Sequence, residues 1–319
     1  MQALRTLWYL NRSAAPKLEE RPMNRRTFLQ QTLAATLLPL LSPRGIRLQA
    51  SSFRPLRRNV GLFLGRGGTI GWLATEAALI VVDAQFPETA TQCWEGLQQR
   101  TDRMIDALIN THHHRDHTAG NVALKSHARQ IIAHRNVPVL QRRAAEQQGT
   151  LDRQVYASRT FDDALTLEAG DERVHIIYYG PAHTGGDAII HFEKANIVHV
   201  GDLVFNRMPC FIDLPGGATT EGWIAALERL HATYDDETQF IFGHGHPKYG
   251  VVGGRADLLV MRDFLEGLRR YVDAGIKAGK SIDELVVDRL PEFPEHYVES
   301  WPQGIPNAIR AVYQELSGS

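Results

Sequence analysis

Apolar residues in this chain come in short runs closed by glycine, aspartate or asparagine, and the period of those runs alternates between that of a strand and that of a helix. Residues 60–75 form two strand-like runs pivoting on glycines, which predicts a hairpin. Residues 77–83 are a continuous apolar strand ending in Asp83, Pro87 opens a helix reaching about Arg100, and residues 104–109 are another buried strand, so the three make a βαβ unit. Helix is predicted over 121–127, strand over 130–133 and a charged amphipathic helix over 137–149. Residues 150–159 lack a period and predict a surface linker, of a kind that often flanks a substrate mouth. Strands follow at 165–167, 173–179, 188–192 and 197–200. Trp223, Leu227 and Leu230 share the core face of a helix over 219–231. A strand at 239–242, helices over 255–278 and 282–289 and a last amphipathic helix over 305–316 complete the series. No repeat period is present, and the order predicts an α/β protein in which two sheets pack together with helices outside.

Composition narrows the class. Of 319 residues 43% are hydrophobic and 22% charged, with a formal net charge of -1, which describes a soluble globular chain with no electrostatic reason to bind nucleic acid. Cys93 and Cys210 are too few and too far apart for a disulfide framework or a CxxC pair, and are expected as small buried residues. Near the start, Arg25-Arg26 precede Phe28-Leu29 and a short apolar stretch over 33–41. This resembles a twin-arginine export signal, too short for a membrane span, and implies the twin-arginine machinery as a partner and a periplasmic or otherwise exported location. The expected division is a leader over 1–50, with Met23 as an alternative start, and one folded domain over 51–319.

The chemistry concentrates between Asn110 and Asn121, where His112, His113, His114, Asp116 and His117 follow a buried strand. Alternate strand residues share a face, so His112 and His114 are expected to point the same way, and the polar run after them turns Asp116 and His117 toward the same point. Imidazole and carboxylate suit zinc, iron or manganese, and the lack of cysteine argues against a closed structural zinc site. Asp83, ending the neighbouring strand, is expected to support this loop through hydrogen bonds. Three later loops each follow an apolar strand and offer further ligands: His183, Asp202, and the pair His244 and His246. His175, His191 and His199 lie inside strands and are expected to be ordinary strand residues. No GxSxG elbow or HExxH helix competes as a hydrolytic device.

With its HxHxDH motif at His112, His114, Asp116 and His117 and the later loops in matching order, the chain resembles the metallo-β-lactamase-fold hydrolases, glyoxalase-II-like in kind, over nearly all of residues 60–260. The resemblance implies an αββα sandwich of two mixed β-sheets flanked by helices, with the site at one edge. By position, His112, His114 and His183 resemble the ligands of a first metal, and Asp116, His117 and His244 those of a second. Asp202 resembles the carboxylate that bridges them. His246 is the rival of His244; His113 and Arg115 fall at variable positions. The implied cofactor is two divalent ions, zinc or else iron or manganese, and the implied nucleophile is a hydroxide formed when a metal-bound water, oriented by Asp116, gives up a proton to it. An ester, thioester or lactone is the expected small-molecule substrate. β-Lactam hydrolysis is an alternative that Asp202 weakens, since lactamases of the family generally carry Cys or Ser there. An iron-dependent oxidoreductase and a non-catalytic metal-binding protein are the others.

Overall fold

The computed structural model describes residues 52–318, which belong to one compact unit. The expected leader lies outside the described residues.

The first sheet contains β1 (Phe53–Pro55), β2 (Val60–Phe63), β3 (Ile70–Ala74), β4 (Leu79–Val82), β5 (Ala107–Ile109), β6 (Ile131–His134) and β7 (Arg159–Phe161), in that spatial order. Its first four strands pair antiparallel and β4 to β7 pair parallel. The chain continues through β8 (Ala164–Ala169), β9 (Glu172–Tyr178), β10 (Ala188–Phe192), β11 (Ile197–His199), β12 (Phe205–Asn206), β13 (Gln239–Ile241), β14 (His244–Gly245) and β15 (Val252–Gly253). Of these, β15-β13-β11-β10-β9-β8 make the second sheet, also mixed, while β12 and β14 form a short parallel ribbon.

The helices are α1 (Pro87–Leu97), α2 (Arg115–Thr118), α3 (Asn121–Leu124), α4 (Asn136–Gln148), α5 (Thr220–Thr233), α6 (Arg255–Lys277), α7 (Ile282–Leu285) and α8 (Gly304–Ser317). Among the described residues no helix is long and apolar enough to cross a membrane.

The alternation of side chains along each strand builds three apolar layers. Ile80 and Val82 of β4 face Val174, Ile176, Ile190 and Phe192 across the space between the sheets. Leu79 and Val81, one residue out of phase, face the opposite way, onto Cys93 and Leu97 of α1. On the far side, Val198 and Phe240 of the second sheet are covered by Trp223 and Leu227 of α5, Leu258, Phe264 and Leu268 of α6, and Ile309 of α8. A run such as Leu79–Val82 is apolar at every position because both of its faces are buried. The architecture is therefore helix, sheet, sheet, helix. Cys93 and Cys210 are both free and lie in opposite outer layers.

Three details depart from the sequence pattern. The strand before the histidines ends at Ile109, so His112 and His114 lie beyond it, and His114 caps α2. Their convergence comes from the turn over residues 110–114, not from strand alternation. The expected linker at 150–159 contains a 3-10 turn, Leu151–Arg153, and runs into β7, whose pairing with β6 closes the edge of the first sheet. Finally, helix after Ser281 stops at Leu285.

Candidate metal centre

The strand ends bring the ligand-capable residues to one edge of the sandwich. His112 and His114 follow β5, with Asp116 and His117 in the first turn of α2; His183 lies on the β9–β10 connection, Asp202 in the turn after β11, and His244 after β13. Backbone bonds stitch the two sheets together there: Ala188 N–H donates to Thr111 O (2.7 Å) and Thr69 N–H to Gly243 O (2.9 Å). The loop carrying His183 is shaped by Asp187, whose carboxylate accepts from the backbone N–H of Thr184 (2.8 Å) and from its hydroxyl (2.6 Å).

All seven residues singled out from the sequence meet here, in two groups. In the first, His112 Nε2 and His183 Nε2 each lie 3.0 Å from His114 Nδ1, and Asp202 Oδ2 is 3.8 and 3.5 Å from the first two. In the second, Asp116 Oδ2 is 3.1 Å from His244 Nε2 and 3.6 Å from His117 Nε2. Asp202 also reaches this group, with Oδ1 at 3.1 Å from His117 Nε2 and Oδ2 at 3.4 Å from His244 Nε2. It therefore lies between both sets, as a bridging carboxylate must. His246 points elsewhere: its Nδ1 accepts from Lys248 N–H, and its ring packs against Tyr249. His199 is held in the wall, with Nε2–H donating to Thr69 O and Nδ1 accepting from Gly201 N–H.

Whether the residues fit metal ions is decided by where their protons go. His112 Nδ1 is 3.0 Å from Thr111 Oγ1, whose own hydroxyl donates to Asp83 Oδ2. His117 Nδ1 lies 2.8 Å from the same carboxylate oxygen, His183 Nδ1 is 2.9 Å from Phe211 O, and His114 Nε2 is 2.9 Å from Asp213 Oδ2. In each case an acceptor takes the N–H of the outer nitrogen, so the inner nitrogen presents a lone pair. Three such lone pairs at 3.0 Å repel one another unless a cation lies among them. Donor atoms about 2 Å from one tetrahedral ion would stand roughly 3.3 Å apart, which is the spacing seen. Asp202 Oδ1 is buried without a hydrogen bond, another atom that a cation would satisfy. The donor set thus fits divalent metals, in the two clusters that Asp202 joins.

The protonation tendencies agree. Burial, then the neighbouring His117, pushes His112 well below the usual imidazole range, and burial takes His183 down to about 3, so both are neutral and ready to ligate. Burial opposes charge at His117 and His244 as well, but Asp202 and Asp116 outweigh it and raise His117 strongly and His244 to about 9. In that group the carboxylates recruit positive charge, from protons when no metal is bound. Asp116 and Asp202 are held well below the usual carboxylate range; burial opposes this, but His117 overcomes it in both, with help from His244.

Two supporting residues complete the centre. Asp83, as expected, supports the loop: it is fully buried in a left-handed conformation (φ 65°) that aims its carboxylate at Thr111 N–H (2.7 Å). Asp213 went unrecognised in the sequence. It contacts both His114 and His113 (3.2 Å), so His113 turns onto it and away from the two clusters. Its only local signal is the Pro-Gly-Gly turn at 215–217, whose Gly216 N–H it binds. Two glycines are required sterically: a Cβ at Gly68 would stand 2.1 Å from the His117 ring, and one at Gly243 would stand 1.9 Å from Asp202 Oδ1. The mouth over the centre is a cavity of about 390 Å³ whose walls include Phe205, Met208, Phe211 and Trp301, with Arg115 at its rim.

Two mixed sheets between helical layers, with a histidine and aspartate centre at one edge, define a hydrolase-type metal scaffold. Residues 64–244 match the profile of the Metallo-beta-lactamase superfamily, and the chain belongs to that superfamily. Among curated relatives, it is 30% identical over 159 residues to the 2,4-dinitroanisole O-demethylase subunit alpha of Nocardioides sp. (strain JS1661), covering 49% of this chain and 46% of that protein. It is 28% identical over 145 residues to the hydroxyacylglutathione hydrolase of Maricaulis maris (strain MCS10), covering 44% and 48%. The chain thus spans about half the length of the curated relatives it matches. Among solved structures, the stereoselective inverting sec-alkylsulfatase Pisa1 from Pseudomonas sp. superposes with a TM-score of 0.65 at 14% identity, covering 83% of this chain and 50% of that one. A metallo-beta-lactamase from Pontibacter korlensis superposes with a TM-score of 0.57 at 15% identity, covering 67% and 98%. These two likenesses bear on the fold alone.

Proposed function

We propose that the chain is a dinuclear metal-dependent hydrolase acting on an ester, thioester or lactone. The observation that carries this is Asp202, set between two clusters of inward-facing imidazole nitrogens. Two divalent ions held there, zinc or else iron or manganese, would lower the pKa of a coordinated water to about 7 and polarise the substrate oxygen. The chain's own part is placement and proton handling. Asp116 is 31% exposed against 4% for Asp202, so it is the carboxylate open to the mouth. Because it stays ionised at neutral pH, it can orient the attacking water and accept its proton. Phe211 and Trp301 hold the apolar part of the substrate and keep bulk water out.

The fold does not select the substrate. The aromatic wall and the 30% identity to the O-demethylase subunit favour an aryl ether or aryl ester as a second reading. Elemental analysis of protein purified from its native compartment, with turnover of thioester, lactone, β-lactam, sec-alkyl sulfate and 2,4-dinitroanisole substrates, tests both. About two metals per chain and hydrolysis of one substrate class support the proposal. Iron with oxygen-dependent turnover would replace it with an oxidoreductase.

We also propose export in the folded state, on the strength of Arg25-Arg26 before Phe28-Leu29. Replacing both arginines by lysine should leave the protein in the cytoplasmic fraction; an undiminished exported fraction would exclude the twin-arginine route.

A further inference from the structure

Next to the mouth of the metal centre lies a second cavity, of about 460 Å³, and Arg115 lines both. Three guanidinium groups surround it. Arg66 comes from the β2–β3 hairpin, Arg115 from between His114 and Asp116, and Arg153 from the 3-10 turn Leu151–Arg153. All three residues are exposed, and among the described residues none of their side chains is paired with a carboxylate. Arg66 instead lies over the Phe86 ring, 4.4 Å from its centroid. Asp152 is the one acid among the lining residues, so the cavity carries two units of net positive charge on a chain whose total is -1. Between the charges the lining is apolar, with Phe86, Pro87 and Val122.

A scatter of exposed arginines would be ordinary surface. Here three line one concavity that shares Arg115 with the mouth of the metal centre, where curved low-dielectric walls concentrate their field. The planar fork of a guanidinium matches an oxyanion with two parallel hydrogen bonds. The residues over 150–154, which link α4 to β7 and are tied to α4 by Gln141 Nε2–H donating to Gln154 Oε1, supply one of the three.

We propose that this cavity is a subsite for an oxyanion at the far end of the substrate. It narrows the substrate class to esters or thioesters in which an apolar spacer, lying along Phe86 and Val122, ends in a carboxylate or an equivalent oxyanion. The proposal rests on the hydrolase reading, with the scissile bond at the metal centre and the terminal anion among Arg66, Arg115 and Arg153.

The test uses the metal-loaded full chain and nitrophenyl esters in two matched series, diacid half-esters and monoacid esters with spacers of increasing length. At the spacer length that spans the two cavities, kcat/KM should favour the diacid series by about tenfold or more, the effect of one charge-assisted hydrogen bond. The preference should appear mainly in KM and shrink with salt. In the Arg66→Gln/Arg153→Gln variant, its fold verified by circular dichroism, the ratio should collapse toward about one. A ratio near one at every length, or one that survives both substitutions, would overturn the subsite. If no ester in either series is hydrolysed, ester hydrolysis fails as the activity, and the subsite is judged by titration calorimetry with the free diacids. Binding weakened at least about tenfold in the double variant upholds it, and equal binding in both proteins overturns it.

Discussion

At the scale of single residues, the centre depends on acceptors that are not themselves ligands. Asp213 takes the Nε2–H of His114 and so leaves Nδ1 free to face His112 and His183. The contacts also hold Asp213 ionised: burial opposes its charge, but hydrogen bonds from His113 and His114 keep its carboxyl well below the usual range. Asp213→Asn keeps the shape while offering an amide whose acceptor can turn away. It should lower metal affinity by about 10- to 100-fold in chelator competition, with the circular dichroism spectrum unchanged. Unchanged affinity would reduce Asp213 to a loop anchor. None of this was legible in the sequence, because Asp213 lies 99 positions from His114 in a loop without strand or helix period. The seven residues of the two clusters were legible for the opposite reason, since each follows an apolar strand closely and four fall within six positions.

At the scale of elements, the strands and long helices followed from period, because Ile80 and Val82 alternate with Leu79 and Val81 between two apolar layers. What the period could not give was short structure held by tertiary contacts. The 3-10 turn Pro294–His296 is an instance: its histidine is fully buried and stacks on Phe264 of α6, 4.3 Å between centroids and 4° between planes. Burial, with Arg207 and His246 nearby, pushes His296 down to about 3, and Glu295, 3.5 Å from its Nδ1, does not offset this. An unfolded histidine titrates near 6.5, so His296 costs nothing above that pH and destabilises the fold progressively as pH falls toward 3. At pH 5 the loss is about 2 kcal/mol. In urea unfolding, His296→Phe should therefore lose less stability than the wild type between pH 7 and pH 5, by about that amount. Equal losses would show that the ring takes up its proton without leaving the core.

At the scale of the whole molecule, the apolar layers and the metal clusters are separate sources of stability. The layers are held by strands and long helices, whereas the seven ligand-capable residues stand at one edge and touch the core at His183, 5.1 Å from Trp223 between ring centroids. Chelation should thus abolish activity and lower Tm, yet leave a cooperative melt and the same secondary-structure content. Ions present at a thousandfold excess over Kd would contribute about 4 kcal/mol, or a Tm shift on the order of 10 °C for a domain of this size. Loss of the cooperative transition on chelation would mean that the clusters help build the core. The expected division between a leader and this domain rests on the sequence alone, on Arg25-Arg26 ahead of the short apolar stretch over 33–41.

Asp83 belongs to neither cluster, yet one of its oxygens receives the Thr111 hydroxyl that orders His112 and the imidazole N–H of His117. The two sites therefore share a hinge pin: an ion that orders one imidazole also settles the carboxylate on which the other depends. Loading should then be cooperative, with the second equivalent of metal taken up more tightly than two independent sites allow. Asp83→Asn should separate the isotherm into two unlinked steps, so that a half-loaded protein, scarce in the wild type, becomes a species that can be isolated.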